Sequence, residues 1–367
     1  MPIEILGMVG TKDASETRGS FLDGPPIDTD YLIRFARAHE EAGFDRVLIG
    51  YSASSPDGFA VAATVLHHTE RLRVLIAHRP GFVQPTVVAR KLATLDHLTG
   101  GGRIAIHHIS GGNEEDQRRD GDFTDHDGRY RRTAEFMGVL RRTLTSAEPF
   151  DHHGEFYRFE GAYSAVRPAT RAGIPLYFGG ASEAAVRTGA EHADVYMLWG
   201  EPLARTAERI ATIRREAARH GREVRFSLST RPIVAATEGE AWDRAAAIKA
   251  ATAQRVGEAL WYRKGGTSTA VGSARLLEQG AEKEVHDERL WYGVTNLVGP
   301  SGNSTAVVGT PEQVAEALLR YHDIGVDTFL IRGFDPLDDV REWGRELVPL
   351  LRAGAAGRER AAVGAGA

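Results

Sequence analysis

"PTVVARKLATLDHLTGGGRIAIHHISGG", residues 85–112, contains a helix, a stop and a strand in direct succession. Apolar residues recur at helical spacing from Pro85 to Leu98, with Thr86 as a capping residue, and Gly100–Gly102 ends the run. Arg103–Ser110 then reads as a strand that is apolar on both faces, as a buried parallel strand must be. That strand ends on His107–His108. Adjacent strand residues point to opposite faces, so this pair cannot hold one metal ion without distortion.

The same unit recurs in both directions along the chain. Strands are expected at Ile3–Met8, Arg46–Gly50, Leu72–Ala77, Arg103–Ser110, Pro175–Phe178, Val195–Trp199, Val224–Ala235 and Thr328–Ile331. Helical patterns fall between them, at Thr29–Ala42, Gly58–His68, Pro85–Leu98, Asp127–Leu144, Glu183–His192, Pro202–Arg219, Pro311–Gly325 and Leu337–Leu351. Eight such units predict an α/β fold, a (β/α)8 TIM barrel, as a single domain over residues 1–352. A flexible tail is expected at 353–367. Two stretches interrupt the alternation. Residues 111–125 form a charged loop after strand four. Residues 238–304 form a long insertion after strand seven and read as a lid.

The 367 residues carry a net charge of −5, with 42% apolar and 26% charged residues, which suits a globular chain with a large core. The short basic run Arg129–Arg132 reads as a solvated helix face, so neither nucleic acid nor an anionic membrane is expected as a partner. There is no cysteine, which excludes disulfides, thiolate metal ligands and a cysteine nucleophile. With no signal-peptide pattern and no run of about 20 apolar residues, a cytoplasmic location is expected.

In a β/α barrel the chemistry sits at the C-terminal strand ends. "LYFGGAS" (176–182) turns a strand through two glycines into a helix that starts at Ser182. Free N–H groups at such a start, beside a hydroxyl and without bulky side chains, suit a phosphate; a plain tight turn with a capping serine has the same sequence. No P-loop, dinucleotide fingerprint, HExxH or GxSxG motif occurs. His67–His68 on a helix and His152–His153 in a loop carry no ligand geometry, and no metal is expected.

Residues 83–103, VQPTVVARKLATLDHLTGGGR, resemble the bacterial luciferase-like flavin monooxygenases. DHDGRYRRTAEF (125–136), PLYFGGAS (175–182), ADVYMLWGEP (193–202), LWYGVTNLVG (290–299) and STAVVGTPEQVAE (304–316) narrow the likeness to the FMNH2-dependent alkanesulfonate monooxygenases. The resemblance implies a barrel with an insertion after strand seven. It implies FMN, supplied as FMNH2 by a separate NAD(P)H-dependent flavin reductase, with O2 as co-substrate and a flavin peroxide as oxidant. It implies a homodimer or homotetramer. It also turns Gly179, Gly180, Ala181 and Ser182, with Tyr130, into a flavin-phosphate site. His78 and Arg79, after strand three, are placed near the flavin ring, and Ser110 with the glycines after it leaves room for the cofactor.

Some positions depart from that family. The expected Arg and His at the strand-seven end are Ser229 and Arg231. The expected Tyr-Pro-His is Phe334-Asp335-Pro336, the lid arginine is replaced within Val298-Gly299-Pro300, and a cysteine falls near Ser55. The flavin pattern is kept while the sulfonate and proton-transfer set is changed. Arg231 is expected to bind the substrate anion and help hold the peroxide, the other possibility being a structural salt bridge. Arg332 would add a second cation, and Trp199 and Ser55 would line the substrate pocket. His107 would face the flavin as a hydrogen-bond donor or acid, and His108 would pack against the helices. The expected reaction oxygenates an organosulfonate, other than a simple alkanesulfonate, to sulfite and a carbonyl product. Alternatives are a sulfone, amide or ketone substrate, a deazaflavin-dependent oxidoreductase, or a non-catalytic flavin-binding barrel.

Overall fold

A computed structural model describes residues 2–18, 25–111, 113–258, 270–299 and 305–365. Its strands are β1 (Glu4–Val9), β2 (Arg46–Ile49), β3 (Arg73–His78), β4 (Ile104–His108), β5 (Phe150–His153), β6 (Arg158–Ala162), β7 (Leu176–Gly179), β8 (Val195–Trp199), β9 (Arg225–Val234), β10 (Val285–His286), β11 (Leu290–Trp291), β12 (Ala306–Gly309) and β13 (Thr328–Ile331). Eight of them run in the order β9-β13-β1-β2-β3-β4-β7-β8, and β8 pairs back onto β9. The sheet is a closed parallel barrel with helices around it, so the expected TIM-barrel fold is the observed one.

Local chemistry explains the elements. Asp28 caps the helix Thr29–Glu41 by accepting from the Tyr31 N–H at 2.9 Å, and that helix buries Tyr31, Leu32, Phe35 and Ala36. Pro85 opens the helix Pro85–Leu98 after Gln84, so Thr86 lies inside the first turn instead of capping it. Gly100, Gly101 and Gly102 all have φ near +80°, a conformation that ends the helix and favours glycine (φ +82°, +83° and +77°). The β5–β6 hairpin, which the sequence reading does not contain, forms a separate two-stranded sheet.

By its packing the chain divides into two compact units. The first comprises residues 1–47, 198–211 and 225–367. In it β9 changes partner. Ser227–Thr230 pair with Thr328–Ile331 of β13, and Arg231–Val234 pair with Ala306–Gly309 of β12. The ten-residue strand therefore leaves the barrel half-way and continues as the edge of a small sheet with β12, β11 and β10. The helix Glu238–Glu258 covers that sheet through Ala241, Ala245 and Ile248, packed with Ile233, Trp291, Val308 and Phe334.

Most of the described part of the insertion is thus a built sub-structure. A further helix, Val271–Glu282, is held by Glu201, whose carboxylate accepts from Arg275 and from Gln279 Nε2 at 2.8 Å. Within the insertion, residues 259–269 and 300–304 lie outside the described residues. Residues 353–365, expected as a flexible tail, belong instead to the helix Val348–Ala365, with Ala355 buried and Arg358 paired to Glu316 and Asp323.

The second unit comprises residues 48–197 and 212–224. It contains β3, β4 and β7, and its helix His126–Thr145 buries Arg129, Tyr130, Thr133, Phe136, Met137 and Leu140 along one stripe.

Candidate active site

In the second unit the strand register sorts the histidines. His107 pairs with Tyr177 and Ala77, and His108 pairs with Phe178 and His78. Paired residues of parallel neighbours share a face, so His78 and His108 point the same way. That face meets the helix layer: Phe136 lies 5.3 Å from the His78 ring and 5.6 Å from the His108 ring, and Phe59 lies 6.3 Å from His78. Burial holds the His78 pKa down at about 4 and that of His108 well below its ordinary value. The expected flavin contact of His78 is corrected, because its ring packs outward as a neutral core residue.

His107 faces the other way. A Cβ on Gly179 would stand 3.7 Å from His107 Cε1 and 2.9 Å from the Met197 carbonyl, so these three strand ends crowd together and only glycine fits. His107, Gly179 and Met197 each keep accessible surface on strands that are mostly buried. The His107 Nδ1 has no partner, and burial lowers the His107 pKa to about 4. The ring is therefore neutral near pH 7, which suits a hydrogen bond.

The glycine turn and Tyr130 come together. Ser182 caps the helix Glu183–His192, accepting from the Ala185 N–H at 3.2 Å. A Cβ on Gly180 would lie 2.6 Å from Ala185 Cβ and 3.3 Å from the Tyr130 hydroxyl, so Gly180 opens a cradle that any larger residue would fill. Tyr196 Oη donates to the Gly180 carbonyl at 2.7 Å and fixes the turn. Burial pushes the Tyr130 hydroxyl pKa up, while a hydrogen bond with Ser182 and the charge of Arg129 pull it down. Ser110 is buried and donates to Thr133 Oγ1 at 2.8 Å, tying the end of β4 to the same helix. Gly112, the second glycine expected to give the cofactor room, lies outside the described residues.

Arg129 is the residue that the sequence reading misses. It was assigned to a solvated face, yet it is 5% exposed. Its Nη1 donates to the Thr124 carbonyl at 2.5 Å, and its Nε is buried without a partner. No carboxylate pairs with it among the described residues. It lies against Gly111, where a Cβ would stand 3.1 Å from its Nε. Arg132 is also inward, paired with Asp122 at 2.5 Å, and only Arg131 is exposed, paired with Glu155. The signal was present in the sequence: Arg129, Thr133, Phe136 and Leu140 recur at i, i+4, i+7 and i+11, a buried helical stripe.

In the first unit Arg231 is 2% exposed. Its Nη2 donates to Glu16 Oε1 at 2.6 Å and to the Gly333 carbonyl at 2.8 Å, and its Nη1 donates to Glu16 Oε2 at 3.3 Å. The guanidinium lies 3.5 Å above the centre of the Phe334 ring. The structural salt bridge, the other possibility for this residue, is the one observed. Arg231 is the first residue of β9 beyond the barrel pairing, so it turns into the small sheet and its charge is met inside the protein. Trp199 is half-buried at the end of β8, and Arg332 is half-buried just past β13. In the second unit Ser55 is exposed, and its hydroxyl closes a turn on Ser52 at 2.8 and 2.9 Å, which corrects its expected place in a pocket.

The fold is that of the (β/α)8 barrels. The chain belongs to the luciferase-like monooxygenase family, whose model matches residues 8–328. Solved structures share the fold at low identity. EDTA monooxygenase from Chelativorans sp. BNC1 is 17% identical, with a TM-score of 0.76 over 96% of this chain and 94% of that one. A riboflavin lyase solved with modified FMN and riboflavin is 20% identical, with a TM-score of 0.75 over 96% and 92%. DmoA from Hyphomicrobium sulfonivorans is 19% identical, with a TM-score of 0.75 over 96% and 88%. No described helix is long and apolar enough to cross a membrane.

Proposed function

We propose that the chain is the oxygenase component of a two-component system that takes FMNH2 from an NAD(P)H-dependent flavin reductase and uses O2. The observation that carries this is the buried guanidinium of Arg129, which has no carboxylate partner among the described residues, on the helix that also places Tyr130 against Gly180 and Ser182. A buried cation needs an anion, and a phosphate monoester on the glycine turn supplies one. Arg129, Tyr130, Ser182 and the N–H groups of the turn would hold that phosphate. Bound reduced flavin supplies the electrons for oxygen activation. His107, neutral and half-accessible, would hydrogen-bond at the strand ends. Trp199 would line the substrate side.

The sequence reading points to an organosulfonate, cleaved to sulfite and a carbonyl product. The Glu16–Arg231 pair withdraws the cation assigned to that sulfonate and leaves Arg332 as the candidate. The same pair favours a second reading, a less charged substrate such as a sulfone, an amide or a ketone. The test supplies the purified protein with a flavin reductase, NADH and FMN over a panel of these classes. Substrate-dependent sulfite supports desulfonation, and substrate-dependent oxygen uptake without sulfite supports the second reading. Turnover under strict anaerobiosis would instead indicate a deazaflavin-type oxidoreductase, and no oxygen uptake above the free-flavin background with any substrate would refute the oxygenase reading. The phosphate assignment has its own check. R129M should weaken FMN binding at least 10-fold while leaving riboflavin, which lacks the phosphate, within 2-fold. A homodimer or homotetramer is the expected assembly.

A further inference from the structure

The charged segment after β4 forms a short helix, Glu114–Arg119, capped by Asn113. Most of its side chains face solvent, and Gln117 is its buried one. Such a helix has little core of its own, so its position depends on what anchors it. The anchor is Arg79, at the end of β3 and 5% exposed. It pairs with Asp116, reaches Asp120 Oδ2 at 3.3 Å and the Asp116 carbonyl at 3.4 Å, and lies 4.8 Å from the centre of the Tyr51 ring. Tyr51 Oη donates to the same Asp120 carboxylate at 2.8 Å, and the Ala53 N–H donates to Asp116 Oδ1 at 3.1 Å. Beyond the helix, Asp122 is fixed by Arg132, and the Thr124 carbonyl is held by Arg129. The segment thus runs from the β4 end that carries His107 and Ser110 to the helix that carries Arg129 and Tyr130. One buried guanidinium secures its middle.

We propose that Arg79 is a positioning residue that latches residues 113–120 as a flap controlling entry to the flavin site. The gating role rests on the flavin reading above; the latch does not. Without the guanidinium, Asp116 and Asp120 lose their shared cation, and the helix's own Arg118 and Arg119 are already paired to Glu114 and Glu115, so the flap lifts. Flavin then enters and leaves faster, with little change at equilibrium, because Arg79, expected from the sequence beside the flavin ring, is engaged by Asp116 and Asp120 instead, and the groups assigned to the phosphate are intact.

Two measurements on the full chain test this. The first is trypsin cleavage after Arg118 and Arg119, whose side chains are 61% and 57% exposed but lie in a folded helix. R79M should be cut there at least 10-fold faster than wild type, and R79K should recover part of the protection. Equal cleavage of R79M and wild type overturns the latch. The second is FMN binding by stopped-flow fluorescence. Association and dissociation should both rise at least 10-fold in R79M, with Kd changed less than 3-fold. FMN binding with wild-type rates overturns the gate, and so does a loss of affinity alone, which would mark a damaged site. A wild-type protein that binds no FMN removes the flavin reading and the gate with it, while the cleavage result still decides the latch. If R79M does not fold, the double variant Y51F/D120N, which keeps Arg79 and Asp116, carries the same expectations in the same direction, and unchanged cleavage and rates overturn the proposal.

Discussion

Replacing Glu16 decides what Arg231 is for. Arg231 is 2% exposed, and its charge is met by both oxygens of Glu16, with the Gly333 carbonyl and the Phe334 ring beside it and its Nε buried without a partner. The Glu16 side chain is 20% exposed, so the pair is asymmetric. E16Q leaves a cation stranded inside the protein, a loss of about 3–5 kcal/mol. R231M leaves a carboxylate that can turn to water, and the methionine keeps contact with Phe334, so it should cost about 1–2 kcal/mol. E16Q/R231M removes the charge and its partner together and should be more stable than E16Q alone by about 1.5 kcal/mol or more, where additivity would make it less stable. The assay is urea unfolding followed by tryptophan fluorescence, where about 3 kcal/mol moves the midpoint by roughly 1 M. Substrate KM, once a substrate is in hand, should change less than 3-fold in R231M. The structural assignment is refuted if E16Q costs under about 0.5 kcal/mol while R231M raises KM 10-fold or more, because Arg231 would then be waiting for a ligand's anion.

Other outcomes follow from the same geometry. His39 and His78 are buried and neutral, with pKa values lowered to about 4 by desolvation, against 6.5 when unfolded. Protonation therefore favours the unfolded chain, and stability should fall as pH drops from about 6.5 towards 4, by about 2 kcal/mol per histidine at pH 5; thermal melts at constant ionic strength check it, and H78F should flatten the acid slope. G180A pushes a methyl against Ala185 and Tyr130 and should cost FMN affinity 10-fold or more by fluorescence titration, with the far-ultraviolet spectrum unchanged. E201Q removes the carboxylate that Arg275 and Gln279 share, so amide exchange across Val271–Glu282 should accelerate by one to two orders of magnitude while exchange in β13 stays as it was.

The barrel was legible because each of its units repeats a strong local signal. Runs such as VLIA in β3, buried on both faces, can only be interior strands of a parallel sheet. The opposed faces of His107 and His108 were legible for the same reason, since alternation is local. The outward direction of His78 was not, because it depends on its pairing with His108 across the sheet. Arg129 could have been found from its helical stripe, had a charged residue on a buried face been read as a clue instead of as solvated surface. The network around Arg79 was out of reach, because it joins residues 51, 79, 116 and 120 through contacts that leave no spacing pattern.

Arg231 and Phe334, which the sequence resemblance to the alkanesulfonate enzymes marks as two separate departures, come together in the structure. Taken separately, a cation displaced by two residues and a lost tyrosine hydroxyl look like damage to a reactive site. Together they form a packed unit. The ten-residue length of β9 exceeds the four to six residues of the other barrel strands, so its second half must leave the barrel, and Arg231 is the first residue to go. A guanidinium carried into that layer needs a flat apolar face and a counter-charge. Phe334 supplies the face at 3.5 Å, and a tyrosine hydroxyl there would be one more polar group to satisfy in a buried layer. Glu16, reached from the loop after β1 whose N–H donates to the Phe334 carbonyl at 2.7 Å, supplies the charge. Each replacement makes sense only with the others, so F334Y and E16Q should interact in a double-mutant cycle, whereas a lost catalytic pair would leave stability additive. The changed positions therefore say less about which anion is bound than about how the second half of β9 is packed.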